Sequence, residues 1–194
     1  MSFLKKIKES LRDPAQPKRT MNAPMARPVS LKKKVIKHEF IDFSKAYRIG
    51  ILSSYSATYD SQKPILAYKK ELERLGFECE VLLFLNQREK EPKVYLPSFN
   101  LSELNKELIP NCPRTDRFMV RRFDLLLNFY FEPIPQLLYL SMESNAKCRV
   151  SPYLDFITPC SDVLIPTSNH QDLNELIKNI NDTLKIQKYV RPEI

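Results

Sequence analysis

Glycine is almost missing from this 194-residue chain, which has only Gly50 and Gly76. The dinucleotide-binding fingerprint needs several glycines close together so that backbone can approach a pyrophosphate, and that form of nucleotide site is therefore not expected. Histidine occurs twice, as His38 and His170. Neither stands beside a recognisable Ser or Cys nucleophile, and no general base tuned near neutrality is visible. The four cysteines, Cys79, Cys112, Cys148 and Cys160, are widely spaced with no C-x-x-C pair and no accompanying His cluster. Zinc-ligand spacing and a secreted disulfide framework are both lacking. Cys79 and Cys148 lie in apolar runs, where a thiol acts as a small hydrophobe. No run approaches the about 18 apolar residues that span a bilayer, and "MSFLKKIKESLR" lacks the continuous apolar segment of a signal peptide. The expectation is a cytoplasmic protein with no metal, no cofactor and no assignable catalytic residue.

Charge of one sign is also lacking, but only in part of the chain. Residues 1–40 hold eleven Lys or Arg and three acids, while the remainder holds twenty of each. The whole formal charge of +8 therefore sits at the N-terminus. A basic body built to grip nucleic acid is not indicated. The basic residues of the arm are Lys5, Lys6, Lys8, Arg12, Lys18, Arg19, Arg27, Lys32, Lys33, Lys34 and Lys37.

What is present reads as an arm, over 1–37, followed by one α/β domain, over 38–190. Phe3, Leu4, Ile7 and Leu11 share a face of a predicted amphipathic helix over 1–12. "DPAQPKRTMNAPMARPVS" carries four prolines and almost no large aliphatics, a composition that cannot offset chain entropy and reads as a flexible linker. "LKKKVIKHEFIDFSKAY" leads into the body as an outer strand or packing segment. "RIGILS" is continuously apolar, as in a parallel strand buried on both faces. "QKPILAYKKELERL" has helical spacing, with Pro64 in the first turn and Gly76 as a left-handed C-cap. "CEVLLFL" is the next strand, completing a right-handed β-α-β unit. Beyond the charged loop "NQREKEPKV", "YLPSFN" reads as a short strand and "LSELNKEL" as a short helix opened by Ser102. A helical turn is placed at Asp116 to Arg122. "FDLLLNFY" is a buried strand and "PIPQLLYLSMESNA" a helix. "AKCRVS" and "SDVLIPT" are strands, and "NHQDLNELIKNINDTLKIQ" is a closing helix with His170 in its cap. Strands alternating with helices predict a three-layer, mostly parallel open sheet of about five to six strands.

The order of "RIGIL", "FDLLLNFYFEPIPQLLYLSMESNAKCRVSPY" and "SDVLIPT", closed by an amphipathic helix ending near "LKIQ", resembles a domain-of-unknown-function family of short Bacteroidota proteins. There a strand of the "FDLLI(D/N)" kind precedes a helix and then a strand like "SKAKFRVG". "SNAKCRVS", residues 144–151, matches the last element, with Ser151 where the family often has Gly. The resemblance covers about residues 31–187 and implies an α/β cytoplasmic protein, with no activity or site residue to carry over.

Two features stand as functional candidates. The loop "SSYSATYDS" follows the first strand, and in open α/β sheets ligands gather beyond the carboxyl ends of strands at a switch in strand order. Its Ser53, Ser54, Ser56, Thr58 and Ser61, together with Tyr55 and Tyr59, offer hydroxyls to a phosphate or sugar, and the following helix N-terminus adds positive potential. Strand termination and helix capping explain the same composition. Asp124 and Asn128, at the two ends of one strand, are read as bonding to neighbouring loops. The second candidate is the arm. It can lie along a phosphate backbone, releasing counterions, although aromatics for base stacking are missing between residues 4 and 39. It can rest on an anionic membrane, its helix can enter a groove on another protein, or the helix caps this protein's own body and the lysines are merely solvated. The leading expectation is a non-catalytic binding or adaptor protein whose arm docks on an acidic partner, RNA in a ribonucleoprotein foremost. The alternatives are a binder or enzyme for a phosphate- or sugar-containing small molecule, using the hydroxyl-rich loop, and a membrane-surface adaptor.

Overall fold

The computed structural model describes residues 46–55, 62–89, 93–168 and 172–186. The helix, linker and lead expected over 1–45 lie outside the described residues, as does His170. The described chain builds β1 (Arg48–Tyr55), α1 (Gln62–Arg74), β2 (Glu78–Leu85), β3 (Ser98–Asn100), α2 (Pro113–Val120), β4 (Phe123–Phe129), α3 (Pro135–Glu143), β5 (Ala146–Pro152), β6 (Val163–Ile165) and α4 (Leu173–Leu184), with 3-10 turns at Leu101–Glu103 and Thr158–Cys160.

The strands form one six-stranded sheet in the order β3-β2-β1-β4-β5-β6, and every pairing is parallel. Each central strand is apolar at nearly every position because both faces are covered. On one face Ile49, Ile51, Val81, Leu83, Leu125, Leu127 and Val150 pack under Ile65, Tyr68 and Leu72 of α1 and Leu176, Ile180 and Leu184 of α4. The Tyr68 hydroxyl donates to Asn181 Oδ1 at 2.6 Å, tying those two helices together. On the other face Leu52, Leu82, Phe84, Leu126 and Tyr130 pack under Phe118 of α2, Leu137, Leu138 and Leu140 of α3, and Cys160. This is the three-layer arrangement that the alternation of elements predicts.

Local chemistry accounts for the element ends. Gly76 has φ of 89°, and Phe77 N–H donates to Leu72 O, closing α1 with a left-handed cap. Gly50 serves packing instead, since a Cβ there would meet Leu126 Cδ1 at 3.0 Å and the Phe123 ring at 3.1 Å. The expected helix over "LSELNKEL" is a single 3-10 turn, and its cap is Asn100 rather than Ser102. Asn100 Oδ1 accepts from Ser102 N, and Glu103 returns a bond to Asn100 N. The helix stops because the Asn105 side chain takes the N–H groups of Glu107 and Ile109, a local competition with helical bonding. α2 starts earlier than the sequence indicates, with Pro113 in its first turn and Thr115 bonding Cys112. The cap of α4 is Asp172, which accepts from the amides of Asn174 and Glu175.

The edge of the sheet where strands begin is held by ions. Arg48 and Arg121 both pair with Glu78, and Arg121 also reaches Glu80 at 2.9 Å. Asp124 Oδ2 accepts from the amides of Tyr47 at 2.8 Å and Arg48 at 2.9 Å, while Lys147 reaches its Oδ1 at 2.7 Å. One carboxylate thus joins the starts of β1, β4 and β5. Burial raises its pKa, but the bonds from Lys147 and the two amides outweigh burial and hold Asp124 below its ordinary range. A depressed native pKa contributes stability above the unfolded value, about 3.9, and that contribution is lost as pH falls through the native value. In urea unfolding, Asp124→Asn is therefore expected to lower stability by a constant amount between about pH 5 and 8, with the gap to wild type narrowing below about pH 4. A gap that does not narrow would show that the charge contributes nothing.

Candidate functional site

The strand order runs outward from β1 to β3 on one side and from β4 to β6 on the other. The connections leave β1 and β4 toward opposite faces, so a crevice opens beyond the carboxyl ends of these two neighbours. The last paired residues there are Ser53 and Phe129. The Ser53 hydroxyl donates to Phe129 O at 2.6 Å and is buried. It therefore fastens the two strands at the mouth of the crevice. Ser54 follows, half-buried, on the face of Leu52, and extension of the register puts it beside Tyr130. Ser56, Thr58 and Ser61 lie outside the described residues, as do the eleven basic residues from Lys5 to Lys37.

Two helix N-termini approach this edge. α1 follows β1 and carries no acidic residue in its first turn, which contains Lys63. α3 follows β4 after a short connection, has Ile134 at its N-cap with no side-chain cap bond, and also carries no acid in its first turn. By contrast, α4 has the Asp172 cap and Glu175 in its first turn, and α2 has Asp116. The start of α1 is held by buried Gln62, whose Oε1 accepts from Tyr95 N at 3.0 Å and whose Nε2 donates to Lys93 O at 3.2 Å.

Beneath α3 the interior turns polar. Asn128, fully buried on β4, donates through Nδ2 to the hydroxyls of Ser141 on α3 at 3.1 Å and Ser151 on β5 at 2.9 Å. Ser161 and Ser151 share a 2.6 Å bond, and Ser161 also bonds Ile157 O. Two polar atoms of this layer have no hydrogen-bond partner, Asn128 Oδ1 and the Tyr130 hydroxyl. Burial raises the Tyr130 phenol well above its ordinary range, with the Cys160 thiol adding to the effect. The Ser141 hydroxyl opposes it weakly without completing a hydrogen bond. Each unmet buried group costs roughly 1–3 kcal/mol.

Arg149, 2% exposed, lies in the same layer. Its guanidinium donates to Ser141 O at 2.7 Å, Ser144 O at 2.9 Å and Ala146 O at 3.3 Å. These are carbonyls of the last turn of α3, its C-cap and the start of β5, and Ser141 O also accepts from the Ser144 hydroxyl at 2.9 Å. Asp162 lies 3.8 Å from the guanidinium and accepts from Arg149 N at 2.7 Å. Burial lowers the guanidinium pKa and Asp162 opposes that shift, so the group stays charged. It is the C-terminal anchor of α3.

Burial pushes the thiols of Cys79 and Cys148 up to about 12 and that of Cys160 to about 11. None of the four is in a disulfide. Among the described residues no cluster of three His, Cys, Asp or Glu side chains could hold a metal ion, and no helix is long and apolar enough to cross a membrane. Asp124 bonds the amides leading into β1 and Lys147 of β5, whereas Asn128 bonds Ser141 of α3 and Ser151 of β5 rather than a neighbouring loop.

Asn128, Tyr130 and Arg149 went unassigned as site residues in the sequence. A signal exists for Asn128, which breaks the apolar run of "FDLLLNFY" at a position that must be buried, where a polar group needs partners.

Fold and crevice together define a Rossmann-like, doubly wound α/β protein without the glycine-rich loop of that class. The chain belongs to DUF6913, a family of unknown function, which matches residues 27–186. The match begins inside the basic arm and takes in Arg27, Lys32, Lys33, Lys34 and Lys37. No curated protein and no solved structure matches the chain.

The anchoring of α3 is open to direct test. Arg149→Met is expected to cost roughly 3–5 kcal/mol in urea unfolding, since it strips the forked donor from the carbonyls at the end of α3 and removes the buried ion pair with Asp162. Arg149→Lys recovers only part of this, because an ammonium cannot reproduce the fork. A loss below about 1 kcal/mol, the size of an exposed ion pair, would overturn the anchor.

Proposed function

We propose that the domain binds a small phosphate-bearing molecule in the crevice between the carboxyl ends of β1 and β4. The observation that carries this reading is the reversal of strand order at that pair, the place where open α/β sheets take their ligands. The first turns of α1 and α3 support it. Both lack acids, and α1 has Lys63 where a cation opposes the helix dipole. A helix start without acids attracts an anion. Isothermal titration of the full chain with inorganic phosphate and phosphate esters checks the proposal. Lys63→Glu, an exposed change that suits the helix dipole, is expected to preserve the fold and weaken phosphate binding tenfold or more. No heat with any phosphate compound, or equal affinity in the variant, overturns the assignment.

A second reading concerns the arm and follows from the segregation of all the excess charge into residues 1–40. Here the protein is an adaptor, and the tract around Lys32, Lys33 and Lys34 lies on a polyanion such as RNA. Binding of this kind falls steeply with salt. The triple change Lys32→Glu, Lys33→Glu, Lys34→Glu in the full chain is expected to abolish RNA retention at low salt and to flatten the salt dependence. Retention that is unchanged in the variant sinks this reading.

A further inference from the structure

We infer that the crevice ligand is a hydroxylated phosphate ester of the sugar phosphate type, and that Asn128 and Tyr130 read its hydroxyl groups. The inference rests on the phosphate reading above and extends it inward. Asn128 and Tyr130 stand on the same face of β4 as Leu126, at the strand's carboxyl end. Both are enclosed, at 0% and 1% exposure, and each presents an atom with no hydrogen-bond partner. One is a carbonyl acceptor and the other a hydroxyl able to donate or accept. A ligand hydroxyl satisfies both at once, donating to Asn128 Oδ1 and accepting from Tyr130.

The rest of the layer is already matched. Asn128 Nδ2 is spent on Ser141 and Ser151, and Arg149 is spent on the end of α3. Among the described residues no other cation stands in this layer to meet an anionic group, whereas a neutral hydroxyl needs none. The phosphate therefore stays outside, at the helix N-termini. Ligand access requires the residues over the pair to part. A purely structural tyrosine would be served as well by phenylalanine, because the hydroxyl has no hydrogen-bond partner among the described residues.

The deciding experiment is isothermal titration of wild type and Tyr130→Phe, as full chains, with inorganic phosphate and with glucose 6-phosphate. Wild type is expected to bind the ester at least tenfold more tightly than phosphate. In Tyr130→Phe this preference is expected to vanish, while phosphate affinity and melting temperature hold. Equal affinities for ester and phosphate in wild type, or a preference that survives in Tyr130→Phe, overturn the hydroxyl assignment and leave the phosphate reading standing. Absence of binding by either compound overturns both.

Discussion

The pairing of β1 with β4 is the constraint on which the rest of the structure hangs. It joins the half of the sheet that runs out to β3 with the half that runs out to β6. Five residue pairs hold it in register, from Ile49↔Leu125 to Ser53↔Phe129. A side chain pins each end to backbone, Asp124 to the amides of Tyr47 and Arg48 below and Ser53 to the Phe129 carbonyl above. Between them Gly50 lets Phe123 and Leu126 approach closely. A slip of one residue would send every apolar side chain of β1 to the opposite face, and it would also break both pins.

That pairing creates the crevice as a geometric consequence, because connections diverge only where the order of strands reverses. The two edges of the sheet then divide their tasks. The starting edge consumes its charges in ion pairs among Arg48, Glu78, Arg121, Asp124 and Lys147. The carboxyl edge is flanked by helix starts without acids. α3 links this edge to the interior. Its start faces the crevice, its underside meets Asn128, and its end is gripped by Arg149. Its start goes without a side-chain cap and opens on Pro135, which has no N–H to satisfy.

Much of the architecture was legible from the chain. Runs such as "RIGILS" and "CEVLLFL" are continuously apolar because both faces are buried, and the alternation with helical spacing implied parallel pairing. Gly76 announced its cap. Other features could not be read. "LSELNKEL" has helical composition, but Asn105 turns its side chain back on the following amides and ends the helix. Arg149 resembles any solvent-facing strand residue until α3 is laid over it. Tyr130 carries no mark of its own, since an aromatic after a strand is ordinary core.

The sequence by itself determined the class of fold, the sites of most strands and helices, and the confinement of excess charge to residues 1–40, because periodicity and composition are local properties of the chain. Only the tertiary structure decided which strands are neighbours, where the order reverses, and that Asn128, Tyr130, Ser141, Ser151 and Arg149 share one buried layer. Strand order follows from how the helices cover the two faces, and the satisfaction of a buried polar atom depends on groups far away in sequence, so neither can be written in any single stretch of residues.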